Sequence, residues 1–201
     1  MAWNLKNEIA RKAVHLSAIL LLLLYILIKD ILVKDSSGKE IGLFVLMTFL
    51  ILALIYEYLR LNLKWKLPLS ELTRLREKNK HTSSIYMLAG IILSLAVFDE
   101  RVAYASVLMG IFGDFVVGIL HGSRIVSFTY TKKKRRWYEL LIEFIVNFVV
   151  GIVVLPNFIA VFFMAIVATI VELLFDSEDN LAIPVFSGFV GQLVLWILIG
   201  F

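Results

Sequence analysis

Seven apolar runs divide the chain, at residues 13–33, 41–63, 84–98, 102–120, 137–155, 158–175 and 184–201. A helix crossing a bilayer needs about 20 consecutive, mostly apolar residues. Most of the runs approach that length, and 84–98 is short enough to read as an untilted or partly re-entrant segment. Little sequence remains between them, so no soluble domain fits. The pattern predicts an all-α, polytopic integral membrane protein of about seven transmembrane helices, with residues 1–201 as a single membrane-embedded domain.

Polar residues inside these runs follow helical spacing. Glu8, Arg11, Lys12 and His15 fall on one face of the first helix. In the fourth run Gly110, Asp114, Gly118 and Gly122 recur every four residues, with Gly113 beside them. Small residues at that interval let helices approach closely, which turns Asp114 toward a neighbouring helix or a cavity. The fifth run carries Glu139, Glu143, Asn147 and Gly151, again four apart. Glu172, Asp176, Asp179 and Asn180 read as one helical face running out of the sixth run into an acidic loop, with Pro184 opening the seventh helix. Ionisable groups inside a membrane are costly and mark function by default. Each stripe also has a plainer reading: an interfacial helix with snorkelling cations, a packing face, or a solvated acidic turn.

Composition narrows the class. Hydrophobic residues make up 61% of the chain, and the mean hydropathy of +0.91 is that of a membrane protein. The first run has no small-residue cleavage site and reads as a retained helix. With no cysteine, disulfides and thiolate metal sites are excluded. Sixteen of the 20 Lys and Arg residues belong to the N-terminal segment, the stretch 60–83 and the stretch 121–136. Alternating spans would put those segments together, and the positive-inside rule then predicts a cytoplasmic N-terminus and a cytoplasmic charged face. The net charge of +4 reflects this topology and contact with anionic membrane lipids, and nothing about it suggests nucleic acid. The five consecutive cations Lys132, Lys133, Lys134, Arg135 and Arg136 are topology anchors on the simplest view. Beside intramembrane carboxylates they also make the pairing that a nucleotide with Mg²⁺ requires.

Four pieces stand in an order that resembles the polyprenol kinase family of dolichol kinases, phytol kinases and their prokaryotic relatives. That family is itself similar to the CDP-diacylglycerol synthases. The pieces are Glu8-x-x-Arg11-Lys12-x-x-His15, Glu57-x-x-Arg60, Gly113-Asp114 with Gly118, and Glu172 followed by Asp179-Asn180-Leu181-x-x-Pro184. Between them Arg76-Glu77 and Thr82-x-x-x-Tyr86-x-x-x-Gly90 look like the family's middle region. The resemblance covers nearly the whole chain.

The resemblance implies a CTP- and Mg²⁺-dependent lipid kinase acting on the terminal hydroxyl of a long isoprenoid alcohol, at the cytoplasmic side of the membrane. Asp114, Asp179 and Glu172 would organise Mg²⁺, with Asn180 beside them at the nucleotide. Arg11, Lys12, Arg76, Lys132, Lys133 and Lys134 would hold the triphosphate. His15 or one of the carboxylates, Asp114 or Glu172 among them, would take the proton of the alcohol. The partners implied are CTP, the alcohol, membrane lipids and, in a homo-oligomer, further copies of the chain.

One element departs from the family. Where its members carry Lys-Ser/Thr-x-Glu-Gly, this chain reads Lys134-Arg135-Arg136-Trp137-Tyr138-Glu139-Leu140. Two other classes remain open on the residues alone. A CDP-lipid synthase is disfavoured because the only His-Gly, His121-Gly122, lacks a following Asp-Arg. A transporter is disfavoured because no inverted repeat or pair of broken helices is visible.

Overall fold

In the computed structural model, which describes residues 16–33, 37–63, 82–122, 137–175 and 179–199, every element is helical. Each apolar run carries a helix: α1 (Ala18–Ile26), continued by a π-helical turn (Leu27–Leu32), α2 (Gly38–Asn62), α3 (Ser83–Val97), α4 (Glu100–Gly122), α5 (Trp137–Val154), α6 (Phe158–Leu174) and α7 (Asp179–Ile199). The stretches Gly38–Asn62, Trp137–Val154 and Asp179–Leu198 are long and apolar enough to cross a membrane. The α3 and α6 helices are apolar but shorter.

The interhelical contacts fix the direction of each helix. Gly42 packs on Tyr25 and Gly38 on Lys29, so α1 and α2 are antiparallel. The Thr82 N–H donates to Glu57 Oε1, while Lys39 Nζ reaches the Ala96 carbonyl at the far end, which sets α3 antiparallel to α2. Gly113 meets Asn147, and Gly151 meets both Met109 and Val161, so α4, α5 and α6 alternate in turn. Gly191 on Met164 and Gly110 on Pro184 orient α7 against α6 and α4. The helices therefore run alternately up and down, and α1, α3, α5 and α7 all begin at one end, called the polar end below.

α4 packs on α5 and α7, and α6 packs on the same two helices, so α4–α7 form a closed four-helix ring. α3 covers the ring along α7 and joins it to α2. Close packing comes from small residues: Ala103, Ala105, Ala160, Ala165 and Ala168 are fully buried. Large apolar side chains point outward instead, among them Phe44 (73% exposed), Val153 (79%) and Ile197 (72%). A surface that apolar, around a core holding carboxylates and amides, suits hydrocarbon rather than water.

At the end opposite the polar one, side chains tie the turns together. Asp99 and Gln192 bond reciprocally: the Asp99 N–H donates to Gln192 Oε1 at 2.9 Å, and Gln192 Nε2 donates to Asp99 Oδ2 at 2.6 Å. Lys29 bridges Asp30 and Glu100, and Tyr104 donates to Glu100 at 2.7 Å. Asn157 caps α6 by accepting the Ala160 N–H at 3.0 Å.

Two expectations need correcting. Glu172 does not share one helix with Asp179 and Asn180, because α6 ends at Leu174 and a new helix starts at Asp179, and Asp176 lies outside the described residues. Pro184 does not open α7 either; it lies inside it. Proline is tolerated there at the cost of one backbone bond: lacking an N–H, Pro184 donates nothing to the carbonyl of Asn180 four residues earlier. Asp179 and Asn180 accordingly belong to the first turn of α7 and not to a loop.

Candidate functional site

The polar stripe of α5 faces the inside of the ring. Gly151, on the same stripe, is closed over by Met109 of α4 and Val161 of α6, so Glu139, Glu143 and Asn147, at four-residue intervals from it, point between those two helices. All three are about 1% exposed.

The other three helices of the ring add polar groups at a similar depth. Gly110 rests on Pro184, and Asp114, one turn further along the same face of α4, looks toward α7 at the level of Asn180. Asp179 and Asn180 are buried in the first turn of α7, where Asp179 Oδ1 accepts the Asn180 N–H at 2.9 Å. Glu172, also about 1% exposed, follows Met164 and Ala168 along the face of α6 that packs toward α7. Asp114, Glu143, Asn147, Glu172, Asp179 and Asn180 thus gather within a few helical turns at the polar end of the ring. An acidic first turn and a nearby Asp114 both suit the positive end of the α7 dipole.

Two glycines shape this region. A side chain on Gly90 would meet the backbone of α7, 2.8 Å from the Asn180 carbonyl oxygen and 3.1 Å from the Leu181 Cα. A side chain on Gly113 would stand 2.8 Å from Asn147 Oδ1. The amide of Asn147 therefore occupies the space that a Cβ on α4 would take, and its buried Oδ1 accepts no hydrogen bond.

A second polar cluster closes the neck between α2 and α3. Glu57, about 1% exposed, accepts Arg60 Nε at 2.7 Å and the Thr82 N–H at 3.0 Å, while Arg60 Nη2 lies 2.6 Å from the same carboxylate. Glu57-x-x-Arg60 was legible in the sequence as a pair; its grip on the start of α3 was not.

Among the expected site residues, the structure brings Asp114, Glu172, Asp179 and Asn180 into one region. Arg11, Lys12, His15, Arg76, Lys132, Lys133 and Lys134 lie outside the described residues. Among the described residues no three Asp, Glu or His side chains converge as a metal cage would require. Asp114, Asp179 and Glu172 therefore do not form a three-carboxylate cluster. Their hard oxygens still fit Mg²⁺, which takes one or two protein carboxylates and keeps several waters.

The chain matches no family model, no curated protein and no solved structure.

Proposed function

We propose that the protein is a multi-pass membrane lipid kinase, which transfers the γ-phosphate of CTP to the terminal hydroxyl of an isoprenoid alcohol at the cytoplasmic side. The observation carrying this reading is the burial of Glu143, Asn147, Glu172, Asp179 and Asn180 inside the α4–α7 ring at the polar end, with the half-buried Asp114 of α4 beside them. So much buried polarity is costly in an apolar bundle and is retained where it serves chemistry. The cation-rich segments 64–81 and 123–136 flank the same end in sequence.

In the transfer, the alcohol oxygen forms a bond to the γ-phosphorus and the bond to the β-phosphate oxygen breaks, releasing CDP. The alcohol proton goes to His15 or to one of the carboxylates. One or two of the carboxylates Asp114, Asp179 and Glu172 would hold Mg²⁺, and that ion would supply charge neutralisation on the phosphates. Arg11, Lys12, Arg76 and Lys132–Lys134 hold the remaining phosphate charge, and Asn180 contacts the nucleotide. Phosphoryl transfer asks for positioning and electrostatics above all. A substrate dissolved in the bilayer accounts for a site built between apolar helices.

The test uses purified protein in detergent with Mg²⁺, polyprenols and polyprenyl phosphates, and CTP labelled at either the γ- or the α-phosphate. Lipid carrying only the γ-label is expected. Label from the α-phosphate would instead make the protein a CDP-lipid synthase. No transfer to any alcohol from any nucleotide would overturn the enzyme reading and leave a non-catalytic or transport role.

A further inference from the structure

We propose that Asn147 is the hydroxyl-binding residue for the lipid alcohol, whose polar head reaches the amide from the α5–α6 side. The inference deepens the lipid-kinase reading and rests on it for the identity of the alcohol. Asn147 is about 1% exposed, and its Oδ1 accepts no hydrogen bond. A buried amide oxygen without a hydrogen bond is expensive, and such groups in native proteins call for an explanation.

The surroundings specify what the amide is suited to receive. Asn147 is the innermost of the three polar residues on its stripe, with Glu139 and Glu143 nearer the polar end and only Gly151 beyond it. A nucleotide arriving from water at the polar end meets the carboxylates first, and Asn147 lies one turn deeper in the apolar bundle. An amide carries both an acceptor and donors: Oδ1 takes the hydroxyl proton and Nδ2–H donates to the hydroxyl oxygen. Gly113 leaves room for the amide against α4, and Asp114 is the next residue along that helix. The hydroxyl is thereby held at the level of the carboxylates while its tail lies among Phe144, Phe148, Phe158 and Phe162, whose rings pack on one another along α5 and α6. Asn147 acts as a positioning residue.

The experiment measures binding of tritiated geranylgeraniol to the purified full chain in detergent without nucleotide, against the matching hydrocarbon that lacks the hydroxyl. The wild type should prefer the alcohol, and Asn147→Leu should bind the two alike. In turnover, Asn147→Leu should raise KM for the alcohol about tenfold, the loss expected from a buried hydrogen bond, with KM for CTP unchanged. Asn147→Ser, which keeps a hydroxyl, should recover part of the preference. Should the leucine variant fail to fold, Gly113→Ala provides the second arm: it keeps the amide but displaces its oxygen, and should weaken the preference for the alcohol. A wild type that does not discriminate alcohol from hydrocarbon overturns the proposal, as does a folded variant with unaltered preference and alcohol KM. The two readings separate cleanly. Alcohol preference lost in Asn147→Leu, without phosphate transfer in the wild type, keeps this site and removes the kinase. Phosphate transfer untouched by the substitution does the reverse.

Discussion

Gly90 of α3 lies directly against the backbone carbonyl of Asn180, at the first turn of α7. A Cβ at Gly90 would stand 2.8 Å from that oxygen and 3.1 Å from the Leu181 Cα, both of them backbone atoms with no rotamer to yield. The same carbonyl is the one that Pro184 cannot bond. The relationship thus joins a helix defect to the residue small enough to cover it, beside Asp179. Gly90→Ala should displace the start of α7, lowering stability by about 1–3 kcal/mol, the usual cost of overpacking. Thermal unfolding in detergent reads this directly, and phosphate transfer should fall more than stability does. An alanine variant as stable and active as the wild type would show that α7 is not held there.

The metal assignment predicts a different signature. Asp114→Asn and Asp179→Asn are close in shape to the wild type, so both proteins should fold and elute as it does. Each should lose phosphate transfer by two orders of magnitude or more, on the order of the effect of removing one electrostatic contact to a transferring group. Raising Mg²⁺ should restore part of the rate only if the affected carboxylate holds the ion. Wild-type turnover in either variant would remove that residue from the assignment.

Arg60 is expected to matter for folding more than for turnover. Glu57 is buried with it, and removing only the cation leaves a carboxylate in an apolar neck. Arg60→Met should cost about 3–5 kcal/mol, the range for a broken buried pair. The double substitution Glu57→Leu with Arg60→Met should cost less than the single one, since no orphaned charge remains. A double variant worse than Arg60→Met by the full cost of losing the Thr82 contact would mean that this backbone bond, and not charge balance, dominates.

Acid should weaken the opposite end of the bundle. Glu100 precedes the apolar run of α4. Burial there opposes its ionisation, but hydrogen bonds from Lys29 and Tyr104 and the nearby charge of Lys29 outweigh burial and hold its pKa below the usual range. A lowered pKa means that the stabilisation is fully present above the ordinary carboxylate value of about 4.3 and is lost as pH falls through the lowered one. Because Glu100 is 44% exposed at its side chain, the effect should be small. Melting temperatures of the wild type and Glu100→Gln should differ at neutral pH and converge in acid; a constant difference across that range would rule out the ion pair as its source.

Much of this architecture is legible in the chain itself. Apolar runs locate each helix because hydrophobic length is a local property, and four-residue spacing exposed the inner stripe of α5 before any packing was known. The acidic segment after α6 was misread for a physical reason. Glu172, Asp176, Asp179 and Asn180 keep helical intervals, yet the helix breaks at Phe175 and restarts at Asp179, and a proline that reads as a helix start is instead carried inside one. Gln192 and Asp99 were invisible as partners, since 93 residues separate them and neither belongs to a repeating pattern. The unpaired Oδ1 of Asn147 belongs to the same class: its packing depends on a glycine in another helix.

The stitching of the bundle has a mechanical consequence. α3 joins α4 through Phe98 and Asp99, and α5 joins α6 through residues 155–157, so the end opposite the polar one is held by short seams. At the polar end the helices meet through close glycine contacts, Gly113 on Asn147 and Gly90 on the first turn of α7. The bundle is thus hemmed by polar stitches at one end and locked by glycine contacts at the other, so swelling either glycine would be felt at the buried carboxylates and not at the hem.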